Sequence, residues 1–181
     1  MKRRAAILTI AALLAGFAAT LATAAPGGLA PVKGIVAADF IATDTEGRKQ
    51  RFAAQRGKVV LLNFWATWCP PCRREMPAME QLHRAYGERG LAVVAVSQDQ
   101  APLAAVRAFA AELGLSFPVW HDRDGLAGRL YGIPGVPVSY LIGRDGRIAY
   151  KVSGEYDWTS PEARAAVEAL LTGPARQGDR R

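Results

Sequence analysis

Residues 59–72, VVLLNFWATWCPPC, decide the fold that this sequence predicts. The stretch begins as a continuous apolar run, which is the pattern of a strand buried on both faces of a sheet. It ends in a Cys-x-x-Cys motif, and Cys69 and Cys72 are the only cysteines in the protein. Residues 73–86 then carry apolar side chains at the spacing of one helical face. We therefore expect the two thiols to lie where a buried strand turns into a helix.

This position favours redox chemistry over a structural role. A thiol at a helix start meets the positive end of the helix dipole, which favours the reactive thiolate. A disulfide between Cys69 and Cys72 would restrict the unfolded chain little, because the loop is so short. A zinc site needs more ligands than this motif offers. A c-type haem needs histidine directly after the second cysteine, where Arg73 stands. We expect neither a metal nor another cofactor.

The composition predicts one globular domain. The chain has 181 residues, of which 50% are hydrophobic and 22% are charged. Its formal net charge is +7, but the first basic residues belong to a segment that we expect to be removed. No basic stripe with interleaved aromatic residues is present in the sequence, so we do not expect nucleic-acid binding. We expect a monomer.

The N-terminus has the pattern of an export signal. Residues 2–4 are basic, residues 5–21 are apolar, and residues 22–24 fit a small-x-small cleavage site. Residues 1–24 are therefore predicted to be a signal peptide, with an uncleaved membrane anchor as the alternative and the only membrane contact. Either outcome places the domain outside the cytoplasm, in the periplasm, where disulfides persist. Residues 25–37 contain proline and glycine without periodicity and are predicted to be a flexible lead-in.

Residues 38–172 are predicted to form a single α/β domain, because strand patterns alternate with helix patterns. A hairpin is expected over residues 40–52, and a second one around Asp145–Gly146. Between the buried strand at residues 91–96 and Pro137, an amphipathic helix over 102–113 and a strand over 115–120 are expected. Residues 159–162, TSPE, match a capping box for a final helix. Residues 173–181 are predicted to be a disordered basic tail.

Residues 65–77, WATWCPPCRREMP, resemble the TlpA/ResA branch of the thioredoxin superfamily, and the resemblance extends over about residues 38–171. That branch comprises extracytoplasmic thiol-disulfide oxidoreductases with reducing roles. The resemblance implies a three-layer thioredoxin-like fold with an N-terminal β-hairpin and a helix–strand insertion before a cis-proline loop. It also implies that the protein reduces disulfides in other exported proteins, with a membrane thiol shuttle of the DsbD or CcdA kind as electron donor. By analogy, the candidate substrates are apocytochrome c, a copper-site assembly protein or other oxidised periplasmic thiols.

The motif itself predicts a division of labour between the thiols. Cys69, nearer the surface end of the turn, is the candidate nucleophile, and Cys72 is the candidate resolving thiol. Pro70 and Pro71 lack N–H groups, so two donors that could solvate a thiolate at this helix start are missing. We therefore expect the pKa of the Cys69 thiol to be lowered only modestly, which is typical of a reductant.

Further site residues come from the resemblance. Thioredoxin carries a buried aspartate where Asn63 stands, and asparagine cannot titrate. Glu75 lies on the same helical face as the second cysteine and matches an active-site acid–base glutamate of ResA-like proteins. Val136–Pro137 resembles the cis-proline loop, where the backbone of Val136 would pair with an extended partner chain. Trp68 is expected to form a surface against which partners pack.

Other functions remain open on the sequence alone. A peroxidase of this superfamily would need a Thr-x-x-Cys pattern, but Thr67 lies only two residues before Cys69. A thiol oxidase or isomerase is possible, because the compartment does not set the redox direction. A copper-binding or copper-delivering protein could use the same two thiols as soft ligands. Copper titration of the reduced protein would distinguish a copper-binding function from an oxidoreductase function.

Overall fold

The computed structural model describes residues 28–173, so the predicted signal peptide and nearly all of the predicted tail lie outside the described residues. Within that range eight strands form one sheet. They are β1 Ala30–Pro31, β2 Ile41–Asp44, β3 Lys49–Arg51, β4 Val59–Trp65, β5 Leu91–Ser97, β6 Val119–His121, β7 Val138–Ile142 and β8 Ile148–Ser153. The α-helices are α1 Pro70–Tyr86, α2 Leu103–Glu112, α3 Leu126–Leu130 and α4 Pro161–Thr172, and Phe52–Gln55 forms a short 3-10 helix. No helix among these residues is long and apolar enough to span a bilayer.

Strand β4 lies inside the sheet, between parallel β5 and antiparallel β7. All of its residues are buried, which confirms the prediction from its continuous apolar run. Leu61 and Trp65 pack in one core cluster with α1, α2 and α4, whereas Leu62 and Phe64 pack in a second cluster with the N-terminal hairpin and α3. Two cores on opposite faces of one mixed sheet give the three-layer α/β fold that the sequence predicts.

Two features of the sheet follow the sequence patterns closely. The hairpin β2–β3 forms around residues 44–48 and adds to the sheet through antiparallel pairing of β2 with β6. The helix α2 and strand β6 lie between β5 and the loop at Pro137, where an insertion was expected. The strand predicted over 115–120 is observed only as Val119–His121, because Pro118 cannot donate a ladder hydrogen bond. Leu115 and Phe117 instead pack in the core cluster with α1 and α2.

The segment predicted to be a flexible lead-in contributes a short edge strand. Ala30 and Pro31 pair with β8, and Val36 forms an isolated bridge with Arg147. No periodicity marks this segment, because a two-residue strand is too short to show one. Its pairing follows from the open edge that β8 offers, which only the tertiary structure reveals.

The final helix begins differently from the predicted capping box. Ser160, rather than Thr159, is the N-cap, and its Oγ accepts a hydrogen bond from the N–H of Ala163 at 3.2 Å. Thr159 instead donates its hydroxyl to Asp157 at 2.6 Å. Glu162 accepts a hydrogen bond from Tyr156 and does not return to the cap. Because Thr159 is hydrogen-bonded to Asp157, the N-cap lies one residue later than predicted, at Ser160. Pro161 then occupies the first helical position.

Candidate active site

The two cysteines lie where β4 passes into α1 and are joined by a disulfide with Cα atoms 5.3 Å apart. Cys69 is the N-cap of α1, and its Sγ accepts a hydrogen bond from the N–H of Cys72 at 3.2 Å. Cys69 retains 3% exposure and Cys72 none. Cys69 is thus the sulfur nearer the surface, although both are well covered in this oxidised state.

The start of α1 offers few donors to a thiolate. Pro70 and Pro71 occupy the first two helical positions and have no N–H groups. The N–H of Cys72 is therefore the first one available in the helix, and it is aimed at the Cys69 sulfur. Arg73, the next residue, donates its N–H to the carbonyl of Cys69 and not to the sulfur. A Cys69 thiolate would receive little hydrogen bonding from this helix start.

Glu75 lies one turn further along α1 and is almost fully buried, with 3% exposure. Its Oε1 accepts a hydrogen bond from Asn63 Nδ2 at 2.8 Å, and its Oε2 accepts one from the N–H of Tyr156 at 3.2 Å. Burial raises the pKa of Glu75 from an ordinary 4.5 to about 8, against the lowering effect of these two hydrogen bonds. The nearby Glu155 carboxylate adds to the rise. The carboxyl group can therefore exchange a proton near neutral pH.

Asn63 connects this carboxyl group to the sheet. Its Nδ2 also donates to Ser139 Oγ at 2.9 Å, and the two residues are paired partners in β4 and β7. The amide oxygen of Asn63 has no hydrogen-bond partner within residues 28–173. Because asparagine cannot titrate, Glu75 is the group in this cluster that can carry a proton.

The loop before β7 contains a cis peptide bond between Val136 and Pro137. Val138 pairs with Phe64 in β4, so this loop lies at the sheet edge where β4 ends and α1 begins. Pro137 accepts a hydrogen bond from the N–H of Gly154 at 2.9 Å. Within residues 28–173, no backbone group is hydrogen-bonded to the N–H or carbonyl of Val136. An extended partner chain could therefore pair with Val136.

The two tryptophans of the motif point in different directions. Trp65 is fully buried and packs on Phe109, with ring centroids 4.8 Å apart. Trp68 is 69% exposed, directly before the nucleophile candidate. Such a large exposed aromatic side chain is suited to contact with another protein.

Three residues in or next to the site, Asp99, Ser139 and Tyr156, were not singled out from the sequence. Asp99 accepts hydrogen bonds from Thr67, Ser139 binds Asn63, and Tyr156 binds Glu75 through its backbone. Asp99 could have been found, because it follows a parallel strand at the carboxyl edge where sites form in α/β sheets. Ser139 and Tyr156 carry no local signal, since their contacts join segments that are 76 and 81 residues apart.

Known proteins are similar to this chain in sequence and in fold. The model of the AhpC/TSA family matches residues 34–151. The thiol-disulfide oxidoreductase ResA of Bacillus anthracis is 40% identical over 119 residues, which cover 66% of this chain and 68% of the relative. ResA of Geobacillus thermodenitrificans is 40% identical over 121 residues, covering 67% and 69% respectively.

Two solved structures extend the likeness to the fold. A thiol:disulfide interchange protein of the thioredoxin family from Chlorobium tepidum superposes with a TM-score of 0.64 at 29% identity, covering 83% of this chain and 99% of that one. The thioredoxin domain of a thiol-disulfide oxidoreductase from Bacteroides vulgatus gives a TM-score of 0.66 at 25% identity, covering 80% and 100%. With this sheet, this disulfide and these relatives, the chain belongs to the AhpC/TSA family of thioredoxin-like proteins and is a thiol-disulfide oxidoreductase similar to ResA.

Proposed function

We propose that this enzyme works as a reductant of disulfides in other proteins outside the cytoplasm. The observation that supports this direction is the start of α1, where Pro70 and Pro71 remove two N–H donors and leave that of Cys72 facing the Cys69 sulfur. A thiolate that is weakly stabilised makes the dithiol less favoured relative to the disulfide. The reduced protein then gives its electrons away readily.

The reaction would follow ordinary thiol-disulfide exchange. The Cys69 thiolate attacks one sulfur of the substrate disulfide, the substrate S–S bond breaks, and the leaving thiolate takes a proton. Cys72 then loses its proton and attacks the Cys69 sulfur of the mixed disulfide. The second substrate sulfur leaves as a thiol, and the enzyme ends with the Cys69–Cys72 disulfide that this structure holds. Two electrons pass to the substrate in each cycle.

Glu75 is proposed as the acid–base group for Cys72. It follows Cys72 by three residues on the same helix, and its pKa of about 8 lies near the working pH. A group with such a pKa can accept a proton in one half-reaction and return it in the other. When the enzyme is reduced again by its donor, the same carboxyl group would protonate the departing Cys72 thiolate.

Substrate proteins would bind across the disulfide, between Trp68 and the loop at Val136–Pro137. The exposed ring of Trp68 offers apolar contact. The backbone of Val136, which has no backbone partner within residues 28–173, offers hydrogen bonds of the kind formed in strand addition. Main-chain recognition of this sort suits an enzyme that acts on several substrates. Apocytochrome c and copper-site proteins are the proposed substrate classes.

The compartment and the electron donor are part of the same proposal. Residues 1–24 have the pattern of an export signal, and the TlpA/ResA branch that the motif resembles comprises extracytoplasmic proteins. A reductant in that compartment has to be reduced again after each turnover, for which we propose a membrane thiol shuttle of the DsbD or CcdA kind. No nucleic acid is expected as a partner.

The reduction potential tests the proposed direction. We expect a value nearer that of thioredoxin, about −270 mV, than that of DsbA, about −120 mV. Equilibration with glutathione, followed by alkylation and mass measurement, gives the potential. A value above about −180 mV would contradict the reductant assignment.

Trapping experiments test the division of labour between the thiols. Cys72→Ser in the exported protein should accumulate mixed disulfides through Cys69, which identify the substrates. Cys69→Ser is the matched control and should trap nothing. If Cys69→Ser trapped partners and Cys72→Ser did not, the two roles would be reversed.

A further inference from the structure

Asp99 is a buried carboxyl group that the proposed reaction does not use. It follows β5 by two residues and retains only 1% exposure. Its position at the carboxyl edge of the sheet places it next to the loop that runs from β4 into α1. A buried carboxyl group is costly unless it is well hydrogen-bonded, so its partners indicate what it does.

Both oxygens of Asp99 are hydrogen-bonded, and two of the three donors come from Thr67. The N–H of Thr67 donates to Oδ2 at 3.0 Å, and its hydroxyl donates to Oδ1 at 2.6 Å. The hydroxyl of Ser97 donates to Oδ2 at 2.6 Å. Hydrogen bonds to a carboxylate are stronger than those between neutral groups. Asp99 thus holds Thr67 at both its backbone and its side chain.

The backbone of Asp99 also makes contacts that hold this residue in place. Its N–H donates to the hydroxyl of Ser97 at 3.1 Å, and its carbonyl oxygen lies 2.7 Å from Nε2 of buried His121 on β6. These contacts fix the carboxyl group to two neighbouring strands of the sheet. The Thr67 contacts are therefore made to a rigid support.

Thr67 lies two residues before Cys69, in the loop that sets the direction of the nucleophile. That loop is tied at its start by the N–H of Gln98, which donates to the carbonyl of Trp65 at 2.8 Å. Its end is a turn in which the N–H of Cys69 donates to the carbonyl of Ala66 at 3.2 Å. Asp99 supplies the attachment between these two points, in the middle of the loop.

We infer that Asp99 is a positioning residue that acts through Thr67 to hold the Cys69 sulfur against the N–H of Cys72. This role rests on the proposed function of Cys69 as the attacking thiol. The N–H of Cys72 faces the Cys69 sulfur in the oxidised structure, and in the reduced protein it would be the first helical donor to the thiolate, because Pro70 and Pro71 provide none. A loosened loop would let the sulfur move away from it, and the thiol pKa of Cys69 would rise.

Apart from Asp99, the charged side chains near this loop have partners other than Thr67. Arg73, in the first turn of α1, pairs with Glu112. Arg74 pairs with Glu155, with Nε and Nη2 both donating to its carboxylate. His121 contacts the carbonyl of Asp99 and not its carboxylate. A change confined to the hydroxyl of Thr67 therefore alters the loop without changing any of these charges.

The test compares Thr67→Val with Thr67→Ser in the reduced protein. Valine keeps the shape and the backbone N–H but removes the hydroxyl donor, whereas serine keeps the donor. We expect iodoacetamide to label Cys69 at least about threefold more slowly at pH 7 in Thr67→Val, which corresponds to about half a pKa unit. The rates should converge at high pH, where the thiolate is complete, and Thr67→Ser should behave like the wild type.

A second buried aspartate provides the control for general loss of stability. Asp44 accepts hydrogen bonds from the N–H groups of Glu46 and Arg48 in the N-terminal hairpin. Asp44→Asn should lower the unfolding temperature and leave the labelling rate of Cys69 unchanged, whereas Asp99→Asn should alter that rate.

The positioning role would be overturned if Cys69 in Thr67→Val were labelled at the wild-type rate. It would also be overturned if Thr67→Ser or Asp44→Asn slowed the labelling of Cys69 as much as Thr67→Val does. Faster labelling of Cys72 than of Cys69 would instead overturn the proposed assignment of the nucleophile, so the two failures are distinguishable.

Discussion

The burial of Glu75 predicts a specific dependence of stability on pH, which Glu75→Gln should remove. The carboxyl group has 3% exposure and a pKa raised from 4.5 to about 8, chiefly because burial disfavours its charged form. Between those values the folded protein keeps the proton while the unfolded chain has released it. The stability that Glu75 contributes is therefore fully present below about pH 4.5 and is lost as the pH rises through about 8.

The size of the effect follows from the shift. Each pH unit between the two pKa values costs about 1.36 kcal/mol of unfolding free energy, so the full shift corresponds to about 5 kcal/mol. Between pH 5 and pH 8, we expect the free energy of unfolding of the wild type to fall by at least about 2 kcal/mol relative to that of Glu75→Gln. Glutamine cannot ionise, so the variant has no such slope from this position.

Urea unfolding of the oxidised protein, followed by tryptophan fluorescence at several pH values, measures this difference. Glu80→Gln is the matched control, because Glu80 is also a buried glutamate of α1. Burial acts to raise the pKa of Glu80, but hydrogen bonds from Ser116 and the charge of Arg84 outweigh it and lower the pKa. Glu80 therefore contributes stability above its unfolded pKa that is lost as the pH falls. If the free energy of unfolding changed with pH in the same way in wild type and in Glu75→Gln, the raised pKa of Glu75 would be refuted.

Three further predictions concern rate, recognition and capping. Glu75→Gln should slow reduction of a protein disulfide at least about tenfold near pH 7 in single-turnover assays, since general-base help is typically worth about 10²–10⁴-fold. Trp68→Ala should slow reduction of a protein disulfide but not of a small-molecule disulfide, with stability unchanged within about 0.5 kcal/mol. Ser160→Ala should cost about 1 kcal/mol in urea unfolding, and Thr159→Ala less, because only Ser160 caps α4.

Features encoded in contiguous residues could be predicted from the sequence. The apolar run of β4 determines a buried strand, and the cysteines that follow it lie at the start of α1 because the periodicity changes there. The missing donors at Pro70 and Pro71 are a property of the residue type and need no tertiary information. The position of Glu75 on the Cys72 side of the helix follows from helical spacing alone.

Features that depend on contacts between distant segments could not be predicted in the same way. Helical spacing gives the direction of Glu75 but not its burial, which arises where α1 packs on β4 and the loop at Tyr156 closes over the carboxyl group. The hydrogen bonds of Asp99 to Thr67 span 32 residues and join two strand ends that only the sheet order brings together. At the start of α4, either of two adjacent hydroxyl residues could have been the N-cap. Thr159 is hydrogen-bonded to Asp157, and Ser160 caps the helix.

The two thiols are controlled by different parts of the structure, and this separation matters for the enzyme. Cys69 depends on the helix start, where prolines limit the donors and Asp99 is proposed to hold the loop. Cys72 is proposed to exchange its proton with Glu75, whose pKa is raised chiefly by burial. In this proposal the helix start affects how favoured the dithiol is, and the carboxyl group of Glu75 affects how fast a proton leaves Cys72. Among the described residues, the hydrogen bonds of Glu75 and those of Asp99 have no partner in common, so substitutions at the two carboxyl groups can be compared separately.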